Sequence, residues 1–208
     1  MSAAVKTLTP KPVGAGTRQR ILDTAEQLFA AEGPAAVTLR SIAAAADVNV
    51  AAVNYHFGSK EKLFEEMFLR RIAPLNEERL TRLAACTASA KGKPDLPAII
   101  AAFVAPAMAL IDDANARAIV VQYSLGRVLA LPQVDQMLVR YYDRVRTAFV
   151  AALQQAAPHL TEQEVVWRYY WMGGSVMVSL AVPPGMAARA EGMIARKLIA
   201  FLVRGFTL

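Results

Sequence analysis

Side chains able to make or break bonds are few and do not converge. The two histidines, His56 and His159, have no nucleophile and orienting acid at a recognisable spacing. The single cysteine, Cys86, has no disulfide partner and no Cys/His company for a metal. GxGxxG, Walker A and HExxH motifs are absent. The sequence therefore predicts no catalytic residue, no metal and no cofactor. What it does hold is recognition chemistry. Asn49, Val50, Ala51, Ala52 and Asn54 crowd into one short segment, all compact enough to enter a DNA major groove roughly 12 Å wide. Asparagine can pair bidentately with adenine, and valine or alanine can touch a thymine methyl.

The elements that would position these residues follow from hydrophobic periodicity. Helix one begins at Thr17, with Ile21, Leu22, Ala25, Leu28 and Phe29 on one side and Gly33-Pro34 as its stop. Thr38 is a good N-cap for a short second helix carrying Leu39, Ile42, Ala43 and Ala46. Asp47-Val48-Asn49 breaks the pattern, and a third helix, Val50 to Phe57, closes at Gly58. Ser59 caps a fourth helix set by Leu63, Phe64, Met67, Phe68 and Ile72. Pro74 is expected to end or kink it at Ala73, with Leu75 to Ala90 continuing helically. Two short helices joined by a tight turn, with another behind them, is helix-turn-helix geometry. Periodicity alone leaves a generic helical hairpin equally open.

Beyond a linker at Lys91-Gly92-Lys93-Pro94, the spacing predicts helices over Leu96–Asp112, Ala114–Leu129, Gln133–Ala157, Glu162–Leu180 and Met186–Arg204. The fold class is all-α. The expected organisation is a flexible basic arm over 1–16, a three-helix helix-turn-helix domain over 17–71 and a helical bundle over 72–208 for effector binding and dimerisation. The arm region supplies Lys6, Lys11, Arg18 and Arg20, which could follow phosphates or merely solubilise.

Apolar residues make up 55% of the 208 and charged residues 19%, which excludes disorder over most of the chain. Residues 1–71 carry a net charge of +2 and residues 72–208 of +4, so charge alone does not locate an anionic partner. Lone Cys86 fits a reducing cytoplasm. The most membrane-like stretch, Tyr169 to Ala188, is interrupted by Gly173, Gly174, Pro183, Pro184 and Gly185 and falls short of the ~20 apolar residues of a spanning helix. No membrane association is expected.

Thr38-Leu39-Arg40-Ser41-Ile42-Ala43, then Ala46-Asp47-Val48, then Val53-Asn54-Tyr55-His56-Phe57-Gly58-Ser59-Lys60-Glu61-Lys62-Leu63 closely resembles the DNA-binding domain of the tetracycline-repressor (TetR) family, over about residues 17–71. The resemblance implies a homodimeric one-component transcription regulator, by default a repressor, that binds a double-stranded DNA operator and a small-molecule effector. It makes Thr38, Arg40, Tyr55, His56 and Lys60 phosphate contacts and leaves base reading to Asn49, Val50, Ala51, Ala52 and Asn54. Many relatives carry Gly or Thr near Ala51-Ala52 and a tyrosine in place of Asn54, so the base partner of each stays open. The Val-Asn-Tyr-His-Phe-Gly-Ser-Lys wording, followed by Arg71-Ile72-Ala73-Pro74-Leu75-Asn76, is similar to a fatty-acid-responsive branch, which implies a fatty acid or acyl-CoA effector.

In the bundle, candidate lining for an apolar effector comes from Phe103, Met108, Val121, Tyr123, Leu125, Trp171, Met172 and Met177, with plain core as the open alternative. Arg117, Gln122, Arg127 and Arg168 interrupt apolar stretches and could hold an acidic head, or reach solvent or an acidic neighbour instead. Tyr170, Gly174, Met177 and Val178 on one helix, with Ile194, Leu198, Ile199, Phe201 and Leu202 on the next, are the dimer candidates; a buried intramolecular pair has the same signature. Twofold symmetry then implies a near-palindromic operator with half-sites about 34 Å, or a multiple of a helical turn, apart. The alternative from another class is a helical protein-protein adaptor that does not bind DNA.

Overall fold

The computed structural model describes residues 15–89, 95–129, 136–181 and 192–207. All regular structure among them is helical: α1 (Ala15–Ala36), α2 (Leu39–Ala45), α3 (Val50–Phe57), α4 (Lys60–Ser89), α5 (Leu96–Met108) with a 3-10 turn (Ala109–Ile111), α6 (Ala114–Leu129), α7 (Gln136–Ala156), α8 (Glu162–Ala181) and α9 (Met193–Thr207). The expected linker at 91–94 and the start of the last helix at Met186 lie outside the described residues. Contacts divide the chain into two compact units between Met67 and Phe68.

In the N-terminal unit, Ile21, Leu22, Ala25 and Phe29 of α1 are buried with Ile42 and Ala43 of α2, Val53 and Phe57 of α3, and Leu63 and Met67 of α4. Each large side chain removed from water contributes about 1.5–3 kcal/mol. Helix α1 starts two residues before the expected Thr17 and leaves helical geometry at Gly33 (φ 78°, ψ 163°), a backbone region that costs glycine little. The start of α2 is held by a reciprocal capping box. The Ser41 amide donates to Thr38 Oγ1 at 3.0 Å, and the Thr38 amide donates to Ser41 Oγ at 2.9 Å. Serine here does what a glutamate or glutamine does in the commonest version. Phe29 and Phe64 stack with centroids 4.7 Å apart.

The turn between α2 and α3 passes through Asp47, the sole non-glycine residue at positive φ (51°) among those described. Aspartate tolerates this conformation better than a β-branched residue does. Arg20 Nε reaches across from α1 to donate to the Ala46 carbonyl at 3.0 Å, fixing the turn from behind. Asp47→Val is therefore expected to destabilise the N-terminal unit by about 1–2 kcal/mol, while Asp47→Gly stays within about 0.5 kcal/mol of wild type because relieved strain offsets added chain entropy. Urea unfolding followed by far-UV circular dichroism checks both. Equal losses for the two substitutions would show that the aspartate side chain, not its backbone, matters.

Helix α4 does not end at Ala73. It runs through Pro74 as one element, so of the expected end or kink the end is excluded, and the helical continuation beyond Leu75 is found. Pro74 is exposed while Ile72, Leu75, Asn76 and Arg79 are buried, so burial along the inner face outweighs the one backbone hydrogen bond that proline removes.

In the C-terminal unit α5 packs on α7, α8 and α9, and α6 packs on α8. Its core is aromatic-rich. Phe68 stacks on Tyr123 at 4.0 Å, and Phe103 meets Phe149 edge-on at 5.2 Å and Tyr169 at 5.5 Å; the two edge-on pairs suit the ring quadrupoles. Asp95 caps α5 through the Ala98 amide, Asp113 accepts from the Ala116 amide at 2.9 Å in the first turn of α6, and Thr161 with Glu164 forms a capping box on α8. Hydrogen bonds from Thr161 hold the Glu164 carboxyl below its ordinary range. Among the described residues no single helix is long and apolar enough to cross a membrane.

Candidate functional site

The third helix turns one side inward and one side out. Val53 and Phe57 are buried, and Asn49, Ala51, Asn54 and Tyr55 are exposed. Val50, Ala52 and His56 are half-buried. Asn49 is also the N-cap of α3: its Oδ1 accepts from the Ala51 amide at 2.9 Å. While it caps, one of the two lone pairs of that oxygen is engaged by the helix. Asn54 has no side-chain hydrogen bond among the described residues and keeps both.

The phosphate candidates divide in the same way. Tyr55, 79% exposed, and Arg40, exposed on α2, present their polar ends outward. Thr38 is exposed but its hydroxyl is engaged in the capping box. His56 is half-buried, with Nε2 covered and unpartnered, and its ring lies edge-on to Tyr55 at 5.3 Å. Lys60 donates to the Pro34 carbonyl and lies 5.9 Å from the Phe29 ring centre, tying the start of α4 to the end of α1. Arg18, grouped with the basic arm in the sequence, instead pairs with Glu66 and sits over the Phe57 ring at 5.1 Å. Together with the Arg20 bond to Ala46, this gives both arginines structural partners inside the unit.

Among the effector candidates of the C-terminal unit, Phe103, Met108 and Met172 are buried in the core. Val121 and Gln122 are half-buried, and Gln122 Oε1 is covered without a partner. Arg117 donates to the Ile111 carbonyl at 3.5 Å, while the side chains of Leu125 and Arg127 lie outside the described residues. Trp171 is 64% exposed and Arg168 donates to the Gly205 carbonyl. These two line an outer groove between α8 and α9 with Ser175 and Phe201, so the structure does not bring them together with Phe103 and Met172. Of the dimer candidates, Tyr170, Gly174, Val178 and Phe201 are exposed, Met177, Ile194 and Leu198 half-buried, and Leu202 is buried within its own chain.

The sequence reading missed a buried cation. Arg79 of α4 is 4% exposed. Its Nε donates to the Phe103 carbonyl at 2.9 Å, one Nη donates to Asn76 Oδ1 at 3.1 Å, and its guanidinium carbon lies 3.9 Å from the Phe103 ring centre. Desolvation lowers its pKa to about 10, which still leaves it cationic at neutral pH. Burial raises the Tyr169 phenol to about 12 and pushes the Tyr142 phenol up as well, against the pull of Arg79; both neighbours are therefore neutral. The signal was the spacing of residues 72, 76, 79 and 83, which places Arg79 on the buried side of α4 with Ile72 and Leu83.

This arrangement defines a class: an all-α protein with an N-terminal helix-turn-helix head and a separate helical C-terminal unit. Residues 21–67 match the model for bacterial regulatory proteins of the tetR family, and residues 101–205 match that for the tetracyclin repressor-like C-terminal domain. A curated relative, "Probable acrEF/envCD operon repressor" of Escherichia coli strain K12, is 42% identical over 67 residues, which are 31% of this chain and 30% of that repressor's length. Among solved structures, a TetR-like transcriptional regulator from Rhodococcus sp. RHA1 superposes with a TM-score of 0.64 at 16% identity, covering 96% of this chain and 99% of that one. Salmonella enterica GusR superposes at 0.62 and 23% identity, covering 98% and 100%. The chain belongs to the tetR family.

Proposed function

We propose that this protein is a one-component transcription regulator, acting as a repressor, that binds a near-palindromic operator as a homodimer and is released by a small apolar effector held in its C-terminal unit. The observation that carries the reading is the outward side of α3. Ala51, Asn54 and Tyr55 stand free of the core on a short helix braced from behind by α1, which is what insertion into a groove requires. A repressor as the curated relative of the head supports the sign of regulation. Coupling follows from linkage. The effector binds more tightly to dimers whose two α3 helices no longer match the groove spacing, and it shifts the population by no more than that difference in affinity. Helix α4, which contributes residues to both units, is the proposed route.

The test is selection from random duplexes at low salt, followed by titration of the selected operator. Tyr55→Phe removes a hydroxyl that donates to a phosphate and is expected to weaken binding about ten- to a hundredfold per half-site. Arg40→Ala is expected to reduce the salt slope by about one phosphate per protomer. A chain that selects no duplex is an adaptor and not a regulator, and duplex binding that ignores both substitutions overturns the α3 surface as the contact.

A further inference from the structure

The buried arginine of α4 is under-partnered. Of its five N–H groups, two are used, by the Phe103 carbonyl and Asn76 Oδ1. No carboxylate among the described residues is paired with its charge. Asn76, 2% exposed, holds its amide Nδ2 covered and unpartnered beside it. A buried cation without a counterion and a buried amide without an acceptor are each costly to fold around, and here they are adjacent. Resting on the reading of the C-terminal unit as an effector domain, we propose that Arg79 and Asn76 receive the carboxylate of a small, otherwise apolar monoanionic effector.

Charge fixes the class. One positive charge among neutral phenols is balanced by one negative charge; a phosphate dianion would leave an excess buried. The planar guanidinium fork also matches the two oxygens of a carboxylate. The guanidinium lies over the Phe103 ring, which itself packs against Phe149 and Tyr169, so the body of the ligand must be apolar. A coenzyme A thioester has lost the carboxylate, which makes the free acid the ligand and not its activated ester.

The experiment uses the full-length chain in calorimetric titration and thermal melts with octanoate and phenylacetate, each paired with its uncharged alcohol. At least one acid is expected to bind about tenfold or more tightly than its alcohol, the gain of a charge-assisted hydrogen bond. Asn76→Asp places a carboxylate where Asn76 Oδ1 already meets Arg79. It is expected to raise the melting temperature of the free protein and to erase the preference for acid over alcohol. Arg79→Lys, which keeps the charge without the fork, is expected to reduce that preference. Acids and alcohols that bind wild type equally well, or an acid preference that survives Asn76→Asp, overturn the carboxylate site while leaving the effector reading intact. A wild-type chain that binds no probe of either kind overturns the effector reading as well.

Discussion

Replacing Ala51 with glutamate is expected to lower operator affinity at least about a thousandfold while leaving the chain as stable as wild type or slightly more so. Ala51 is exposed in the first turn of α3, where its amide already takes the Asn49 cap. A carboxylate at that end of a helix is favoured by the backbone dipole, by about 0.3–1 kcal/mol at an exposed site. The same carboxylate would face the acceptor-rich edges and phosphates of a duplex. Like-charge juxtaposition costs several kcal/mol, and a dimer meets it twice. Fold stability and binding thus move in opposite directions, a combination that a general folding defect cannot produce. Fluorescence anisotropy on the selected operator, with a thermal melt of the same sample, measures both. Retention of wild-type affinity by Ala51→Glu would place the reading surface somewhere other than α3.

The head was legible in the sequence because its determinants are local. Thr38 as a cap, Val50–Phe57 as a helix and Gly58 as its end depend on neighbours within a few residues, and the structure has the cap bond, those bounds and φ 75° at Gly58. The second use of Asn49 was not legible. One side chain type serves as helix cap and as adenine reader, and only the bond to the Ala51 amide separates the two. Lys60, Arg18 and Arg20 illustrate a further limit. The sequence groups two with a basic arm and the resemblance assigns one to a phosphate, and neither shows that each also has a carbonyl, a carboxylate or a ring 26 to 48 positions away in the chain.

The C-terminal unit was legible as helices but not as a site. Apolar spacing marks Phe103, Met172 and Trp171 alike, yet two face the core and the third faces out, because α8 carries apolar residues around most of its circumference. Pro74 left two outcomes open for a related reason: propensity penalises proline inside a helix, whereas tertiary burial on the opposite side carries the helix through. Arg79 was passed over among the polar residues of its helix although its position repeats with Ile72 and Leu83. Composition cannot tell a solvated arginine from one held under a phenylalanine ring.

Phe201→Glu is expected to convert the protein to a monomer and to weaken operator binding about a hundred- to ten-thousandfold, the loss that follows when two linked half-site contacts become independent. The apolar residues Trp171, Val178 and Phe201 are 64%, 65% and 67% exposed on α8 and α9, and Trp167 and Tyr170 are more than half exposed beside them. Large apolar side chains left exposed together on two packed helices mark an interaction site, and each aromatic ring buried there removes about 150–250 Å² from water. A β-carbon added at Gly173 or Gly174 would meet no atom within 4 Å, so this stretch of α8 leaves room for another helix to approach closely. The partner best matched to such a face is a second copy, because an isologous contact sets apolar residues against their own counterparts. Since Phe201 makes little of its contact area within its own chain, its charge substitution should leave the monomer's melting temperature nearly unchanged. Leu202, one position along and buried, is the contrast: Leu202→Ala should cost about 2–5 kcal/mol of fold stability without selectively affecting assembly. Light scattering coupled to size exclusion reads the mass, and anisotropy the affinity. A Phe201→Glu chain that stays dimeric would remove this face as the interface and, with it, the twofold reason for a palindromic operator.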